Sequence, residues 1–216
     1  MVMFSVVLLG ILAGQAMAAT TLTSTMTVDD DFNLYVSTDD VVSGTFVMTG
    51  STVDRGWTQS FSHAFTLTPG VTNYIHVWGW DLNKAIVGFL GEFTLSDTSF
   101  HFENGTQTLY TDAAYWDISN SGFGSGYYTP NNLGHNGDPA LLWTTTVGNH
   151  PIGGISTSAQ WIWSGTGLWV DTPRYFSAVI IPTELPPDNR VPAPAALLLA
   201  SLGAGIVGWF RVRKAS

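Results

Sequence analysis

Cysteine is absent from the 216 residues, which excludes disulfide staples, thiolate nucleophiles and Cys-ligated zinc. Charge is scarce too: Asp, Glu, Lys and Arg make up 11% of the chain, against about 25% in an ordinary soluble domain. That argues against a coiled coil or a disordered acidic tail. Basic residues are the rarest charges, with 7 Lys and Arg against 16 Asp and Glu and a formal charge of -9. Without a basic field to gather phosphates, nucleic acid is not expected as a partner. His63, His76, His101, His135 and His150 show neither His-x-His nor His-Glu-x-x-His spacing, and no Gly-x-Ser-x-Gly elbow occurs, so zinc hydrolysis and the serine-hydrolase turn have no local signature. The protein is not expected to be an enzyme. Glu92, Glu103 and Glu184 together with the aspartates leave a glycosidase carboxylate pair open, because the separation of such a pair is tertiary. What the chain does have is apolar and aromatic surface: 45% hydrophobic and 13% aromatic residues, punctuated by 23 Gly and 10 Pro.

Long apolar runs occur only at the two ends. Val6-Val7-Leu8-Leu9-Gly10-Ile11-Leu12-Ala13 leads into Ala16-Met17-Ala18, a small-x-small sequence of the kind signal peptidase accepts. Residues 1–18 are therefore expected to be a signal peptide with a helical apolar core, although no Lys or Arg precedes Arg55. A buried N-terminal helix is the alternative. At the other end, Leu185-Pro186-Pro187-Asp188-Asn189-Arg190 cannot be helical, residues 195–210 carry no charge, and Arg211-Val212-Arg213-Lys214 is basic. This order predicts a Pro-rich linker and motif over 185–194, a single transmembrane helix over 195–210 and a basic cytoplasmic tail over 211–216. Sixteen residues rise roughly 24 Å against a hydrocarbon core of about 30 Å, and a helix start at Pro192 with snorkelling of Arg211 covers the difference. Everything between the two ends then lies outside the cytoplasm. With the ends removed, residues 19–189 hold three basic and sixteen acidic side chains, a net -13. Such a domain repels anionic polymers, so a polysaccharide partner is expected to be neutral or bridged by a divalent cation.

Val191-Pro192-Ala193-Pro194-Ala195-Ala196, followed by the Leu-, Gly- and Ala-rich span and the basic Arg211, Arg213 and Lys214, resembles a PEP-CTERM sorting signal, in particular the variant that begins Val-Pro-Leu-Pro-Ala. Ala193 departs from that motif. The resemblance covers residues 191–216. It implies recognition by an exosortase-type membrane protease in a Gram-negative, exopolysaccharide-forming bacterium, an inner-membrane intermediate, and delivery to the outer surface or the extracellular matrix. A plain single-span anchor is the alternative.

The middle of the chain reads as strands. Phe32-Asn33-Leu34-Tyr35-Val36-Ser37 alternates apolar and polar residues with a period of two, the pattern of a half-buried strand. His63-Ala64-Phe65-Thr66-Leu67 ends at Pro69-Gly70, and residues 73–80 return as a second strand, which predicts a hairpin. Further strands are expected over 20–28, 41–48, 86–95, 141–146, 159–163 and 174–181. No helical period runs through 19–184, so an all-β sandwich is expected for that domain. The acidic turn before the Tyr35 strand, the Pro69-Gly70 turn and the Gly-containing strand Ile86-Val87-Gly88-Phe89-Leu90 resemble the galactose-binding-like jelly rolls. Ala159 to Ser164 and Arg174-Tyr175-Phe176 look like the closing strands of such a fold. The resemblance implies a jelly-roll-like carbohydrate-binding or adhesive module, frequently with structural calcium.

Eight tryptophans fall in the central segment, and indole faces stack on the C–H faces of sugar rings. The same spacing also suits a core: Trp78 and Trp80 share a strand face, as do Trp161 and Trp163, and a sandwich interior would bury one such pair. The Gly- and Asn-rich surroundings of Trp116, Trp169, Tyr127 and Tyr128 make these four the expected ligand-binding residues. Asp29, Asp30, Asp31, Asp39 and Asp40 place five carboxylates within twelve positions, a candidate set for structural Ca²⁺, which takes six to eight oxygens. Solvated acidic turns are the alternative. The sequence thus leads to an exported, non-catalytic cell-surface or matrix protein that interacts with extracellular polysaccharide. A purely structural matrix or adhesin subunit and a glycoside-active enzyme are the alternatives.

Overall fold

The computed structural model describes residues 19–50, 56–81, 86–165 and 173–183. The signal segment, the linker, the apolar span and the basic tail lie outside the described residues. So do the sorting residues Val191, Pro192, Ala193 and Pro194, and the candidate Trp169.

Two antiparallel sheets of six strands face each other. In the first, β1 (Thr21–Asp29) lies between β4 (Phe61–Thr66) and β6 (Gly88–Leu95). From β6 the sheet continues through β11 (Gln160–Trp163) to β10 (Asn131–His135), and β8 (Thr108–Tyr110) also pairs with β6. In the second, β5 (Asn73–Trp80) lies between β2 (Asp31–Ser37) and β12 (Arg174–Pro182). There β3 (Thr45–Gly50) flanks β2, while β7 (Phe100–Phe102) and β9 (Asp117–Ser119) flank β12. The alternation explains the packing. Leu22, Met26 and Val28 of β1 and Phe89 and Phe93 of β6 meet Phe32, Leu34, Ile75, Val77 and Phe176 of the opposite sheet in one continuous core. The expected all-β sandwich is what forms. Among the described residues no helix is long and apolar enough to cross a membrane.

A second apolar cluster covers the other face of β6. Leu90, neighbour of the core residue Phe89 and pointing the opposite way, joins Trp143, Ile152, Ile155, Ala159 and Trp161. The long connection between β10 and β11 supplies most of this layer. It is organised by buried Asn136, whose amide nitrogen donates to the Ile152 and Ile155 carbonyls (3.1 and 2.8 Å) while its oxygen accepts from Ile152 N (2.8 Å).

Three local expectations fail, each for a tertiary reason. The segment 141–146 is not a strand but holds the short helix α1 (Leu142–Thr146). Its β-branched threonines favour extended backbone, but the helical turn carries Trp143 onto the Trp161 ring, with centroids 4.7 Å apart and planes at 12°. β4 and β5 do not pair as a hairpin, because β4 pairs with β1 and β5 with β2 and β12. The Pro69-Gly70 turn instead carries the chain between sheets, closed by Asn73, whose side chain bonds Thr68 N, Thr68 O and Val71 O at 2.9–3.0 Å. The strand expected over 41–48 begins only at Thr45, leaving Val41 and Val42 on an exposed loop. The three-residue strands β7, β8 and β9 are too short to show a period in the sequence.

Candidate functional site

The outer face of the second sheet is set by β5. Ile75, Val77 and Gly79 face the core, so Tyr74, His76, Trp78 and Trp80 face outward by strand alternation. Gly79 packs closely there: a Cβ would stand 3.1 Å from Val28 Cγ1 and 3.2 Å from the Trp163 ring. The outward side chains extend across neighbouring strands, with Trp78 opposite Asn33 on β2 and Tyr175 on β12. Trp78 and Trp80 rings are 4.6 Å apart, and Tyr175 lies nearly parallel to Trp78 at 6.4 Å and 13°. All three are half-buried, and the Trp78 indole nitrogen has no hydrogen-bond partner. The result is a row of aromatic faces beside an amide, three apolar platforms and one polar group that donates and accepts.

Beside this row lies a partly buried polar knot around Asp40. Its Oδ1 accepts from Tyr127 Oη (2.9 Å) and Ser177 Oγ (3.1 Å) and stands 3.4 Å from His76 Nε2. His76 is fully buried and stacks on Phe123 at 4.1 Å and 8°. Burial lowers the His76 pKa while the Asp40 hydrogen bond opposes the shift, so the imidazole is neutral at physiological pH. Tyr127 is pushed up to about 12, chiefly by burial, and its hydroxyl also accepts from Gly124 N (2.8 Å). The knot therefore clamps the 38–44 loop and the 120–128 loop onto the sheet. It has the residue types of a hydrolase triad but not its wiring, since Ser177 bonds the carboxylate and not the imidazole.

The four expected ligand residues have different fates. Trp116 is 2% exposed, packs on Phe89 and Phe93, and donates its indole N–H to the Tyr110 carbonyl (3.0 Å). It is a core residue and not a surface platform: its flexible-looking neighbours are turns that route the ring inward. Tyr127 is a strut of the Asp40 knot. Tyr128 is exposed, with its hydroxyl donating to Asn120 Oδ1 (2.6 Å). Trp169 lies outside the described residues. Of the two tryptophan pairs, Trp161 and Trp163 are the ones fully buried, in different clusters, which leaves Trp78 and Trp80 facing out. The signal for this was in the sequence: the aliphatic and glycine positions of residues 73–80 alternate with the aromatic ones, and a core takes the aliphatic side.

The five aspartates are not brought together. Asp29, Asp30 and Asp31 sit where β1 passes into β2, whereas Asp39 and Asp40 follow the end of β2, and a seven-residue strand at about 3.3 Å per residue holds the groups roughly 20 Å apart. Among the described residues no cluster of three or more His, Asp or Glu side chains is arranged to hold a metal. Asp39 Oδ1 accepts from Val41 N (2.9 Å), an Asx turn. Asp29, Asp30 and Asp31 are 3%, 5% and 6% exposed where the chain crosses from β1 to β2. There the Trp143 indole donates to Asp29 Oδ2 at 3.0 Å. Burial, then the hydrogen bond and charge of Asp30, raise the Asp29 pKa to about 8.

No protein-family model matches the chain, and neither a curated protein nor a solved structure is found to be significantly similar to it.

Proposed function

We propose that this is an exported, non-catalytic cell-surface or matrix protein whose sandwich interacts with neutral glycan through the Trp78–Trp80–Tyr175 face. One observation carries the reading. Three half-exposed aromatic rings cluster on the outer face of a sheet, next to Asn33, an arrangement that suits sugar C–H faces and hydroxyls. The acidic composition favours a neutral polymer. The wiring of the Asp40 knot, with its imidazole buried, supports a binding role over catalysis. The chain passes repeatedly between the two sheets from β1 to β9, which supports the finer reading of a jelly-roll-like sandwich. Delivery rests on the terminal segments: a signal peptide, then a PEP-CTERM-like tail read by an exosortase-type protease, with an inner-membrane intermediate.

Two experiments test the reading. Titration of the full chain with neutral oligosaccharides should quench indole emission, and Trp78→Ala with Trp80→Ala should weaken binding at least about tenfold, a loss of roughly 1.4 kcal/mol or more. Absence of binding to every neutral glycan on an array would leave a purely structural matrix subunit as the better description. For the address, replacing Arg211, Arg213 and Lys214 with Ala should strand the protein away from the outer surface, because the tail loses its orienting charge. Unchanged surface delivery on cell fractionation would remove the sorting role of the tail.

A further inference from the structure

β3 and β4 are the outermost strands of their sheets on the same side of the sandwich, and between them opens a cleft of about 460 Å³. Its floor is apolar: Val36, Val47 and Phe65 line it and pack against the inter-sheet core. Its rim is polar, formed by Thr38, Asp39, Thr45, His63, Thr66 and Thr68. Among the described residues none of these four threonine hydroxyls is committed to a hydrogen bond. Thr45 pairs with Val36 and shares its inward face, while the neighbouring Phe46 pairs with Tyr35 and sets its ring against Tyr35 on the outer face. One wall, the 38–44 loop, is held from outside by the Asp40 knot and by Val41, which packs so closely on Gly124 that a Cβ there would stand 2.3 Å from Val41 Cγ1. The cleft is therefore formed before any ligand arrives.

We propose that this cleft is a second saccharide site, one that takes the end of a neutral oligosaccharide; the proposal rests on the glycan reading above. The volume falls in the range of small-molecule sites, roughly 300–1,000 Å³. Uncommitted hydroxyls and a carboxylate around an apolar floor match a ligand with C–H faces and a hydroxyl rim. Asp39 and the nearby Asp40, in a domain of net -13, disfavour an anionic ligand. A wholly apolar ligand would desolvate the rim without replacing its water hydrogen bonds.

The test uses the detergent-solubilised full chain and four probes, maltotetraose, cellotetraose and mannotetraose as neutral sugars and tetragalacturonate as the acidic one. Calorimetry reads total binding and indole emission reads the Trp78 face, since among the described residues no tryptophan lines the cleft. The expected result is binding of a neutral probe at two sites. One is weakened at least about tenfold by Thr45→Arg and by Thr66→Arg, with the indole response retained. Both positions are exposed, so the variants test binding and not folding. If both variants titrate as wild type while Trp78→Ala with Trp80→Ala abolishes binding, the cleft is not a saccharide site and the function proposed above stands. Tetragalacturonate binding as well as the neutral probes would overturn the proposal. So would variants that change only the sedimentation state, because the cleft would then be covered by a second copy. No binding of any neutral probe would overturn both readings.

Discussion

Asp29→Asn should raise the melting temperature by roughly 10 °C near pH 7 and by almost nothing near pH 4. In the folded protein the Asp29 carboxyl has a pKa of about 8, against 3.8 when unperturbed, because it is buried and hydrogen-bonded to a second carboxyl, Asp30, whose charge adds to the shift. The folded chain thus keeps a proton that the unfolded chain releases above about pH 4, and stability falls by about 1.4 kcal/mol per pH unit between the two pKa values. Below pH 4 both states are protonated and this contribution is fully retained. At pH 7 the accumulated loss is on the order of 4 kcal/mol, and for a domain of this size 1 kcal/mol shifts the melt by about 2–4 °C. Asparagine keeps an acceptor for the Trp143 indole and a donor toward Asp30, so the geometry survives without the titration. Melts by circular dichroism from pH 4 to 9 would show the wild type declining and the variant flat in this window. Parallel profiles would show that no proton is held at Asp29. A wild-type melt raised by millimolar calcium over EDTA would place a cation there instead.

Trp116→Ala should lower stability by about 3–5 kcal/mol, the usual cost of truncating a buried tryptophan. The ring is 2% exposed and meets Phe89 edge-on at 5.0 Å and 87°, so its loss leaves a cavity between the sheets. The substitution also strands the Tyr110 carbonyl that accepts its indole N–H, which adds a desolvation cost. Denaturant melts of the full chain should show the shift, while Trp80→Ala, on the half-exposed outer face, should stay within about 2 kcal/mol of wild type. Weakened glycan binding by a Trp116→Ala protein of undiminished stability would return Trp116 to the surface role its neighbours suggest.

The sequence by itself determined the class of fold and most of its strands. Residues 73–80 alternate so regularly that β5 matches its expected bounds, and the apolar, β-branched run of 174–181 becomes β12, one residue longer than expected. The reason is local: a period of two places one face against a core whatever the partner strand. Pairing was not legible. Pro69-Gly70 gives the length of a turn but not the sheet to which the next strand returns, and β1 and β12 supply more hydrogen-bonded neighbours than a local hairpin would. The helix at Leu142–Thr146 runs against the propensity of its threonines because Trp143 has tertiary partners in Asp29 and Trp161.

For the candidate site, the sequence offered residue types and the packing decided their places. Aromatic density suggested stacking chemistry, but residues near glycines were read as exposed, and Trp116 shows that a turn can carry a ring inward as readily as outward. Clustered aspartates announced acidity, yet the seven-residue strand between them keeps the two groups apart. Burial then turns Asp29 into a neutral acid, and hydrogen bonds from Tyr127 and Ser177 make Asp40 a clamp. Composition and periodicity fix which faces are apolar, because each residue carries its own transfer free energy. Only the packing of two sheets decides which of two aromatic faces meets water, because that choice depends on partners far away in sequence.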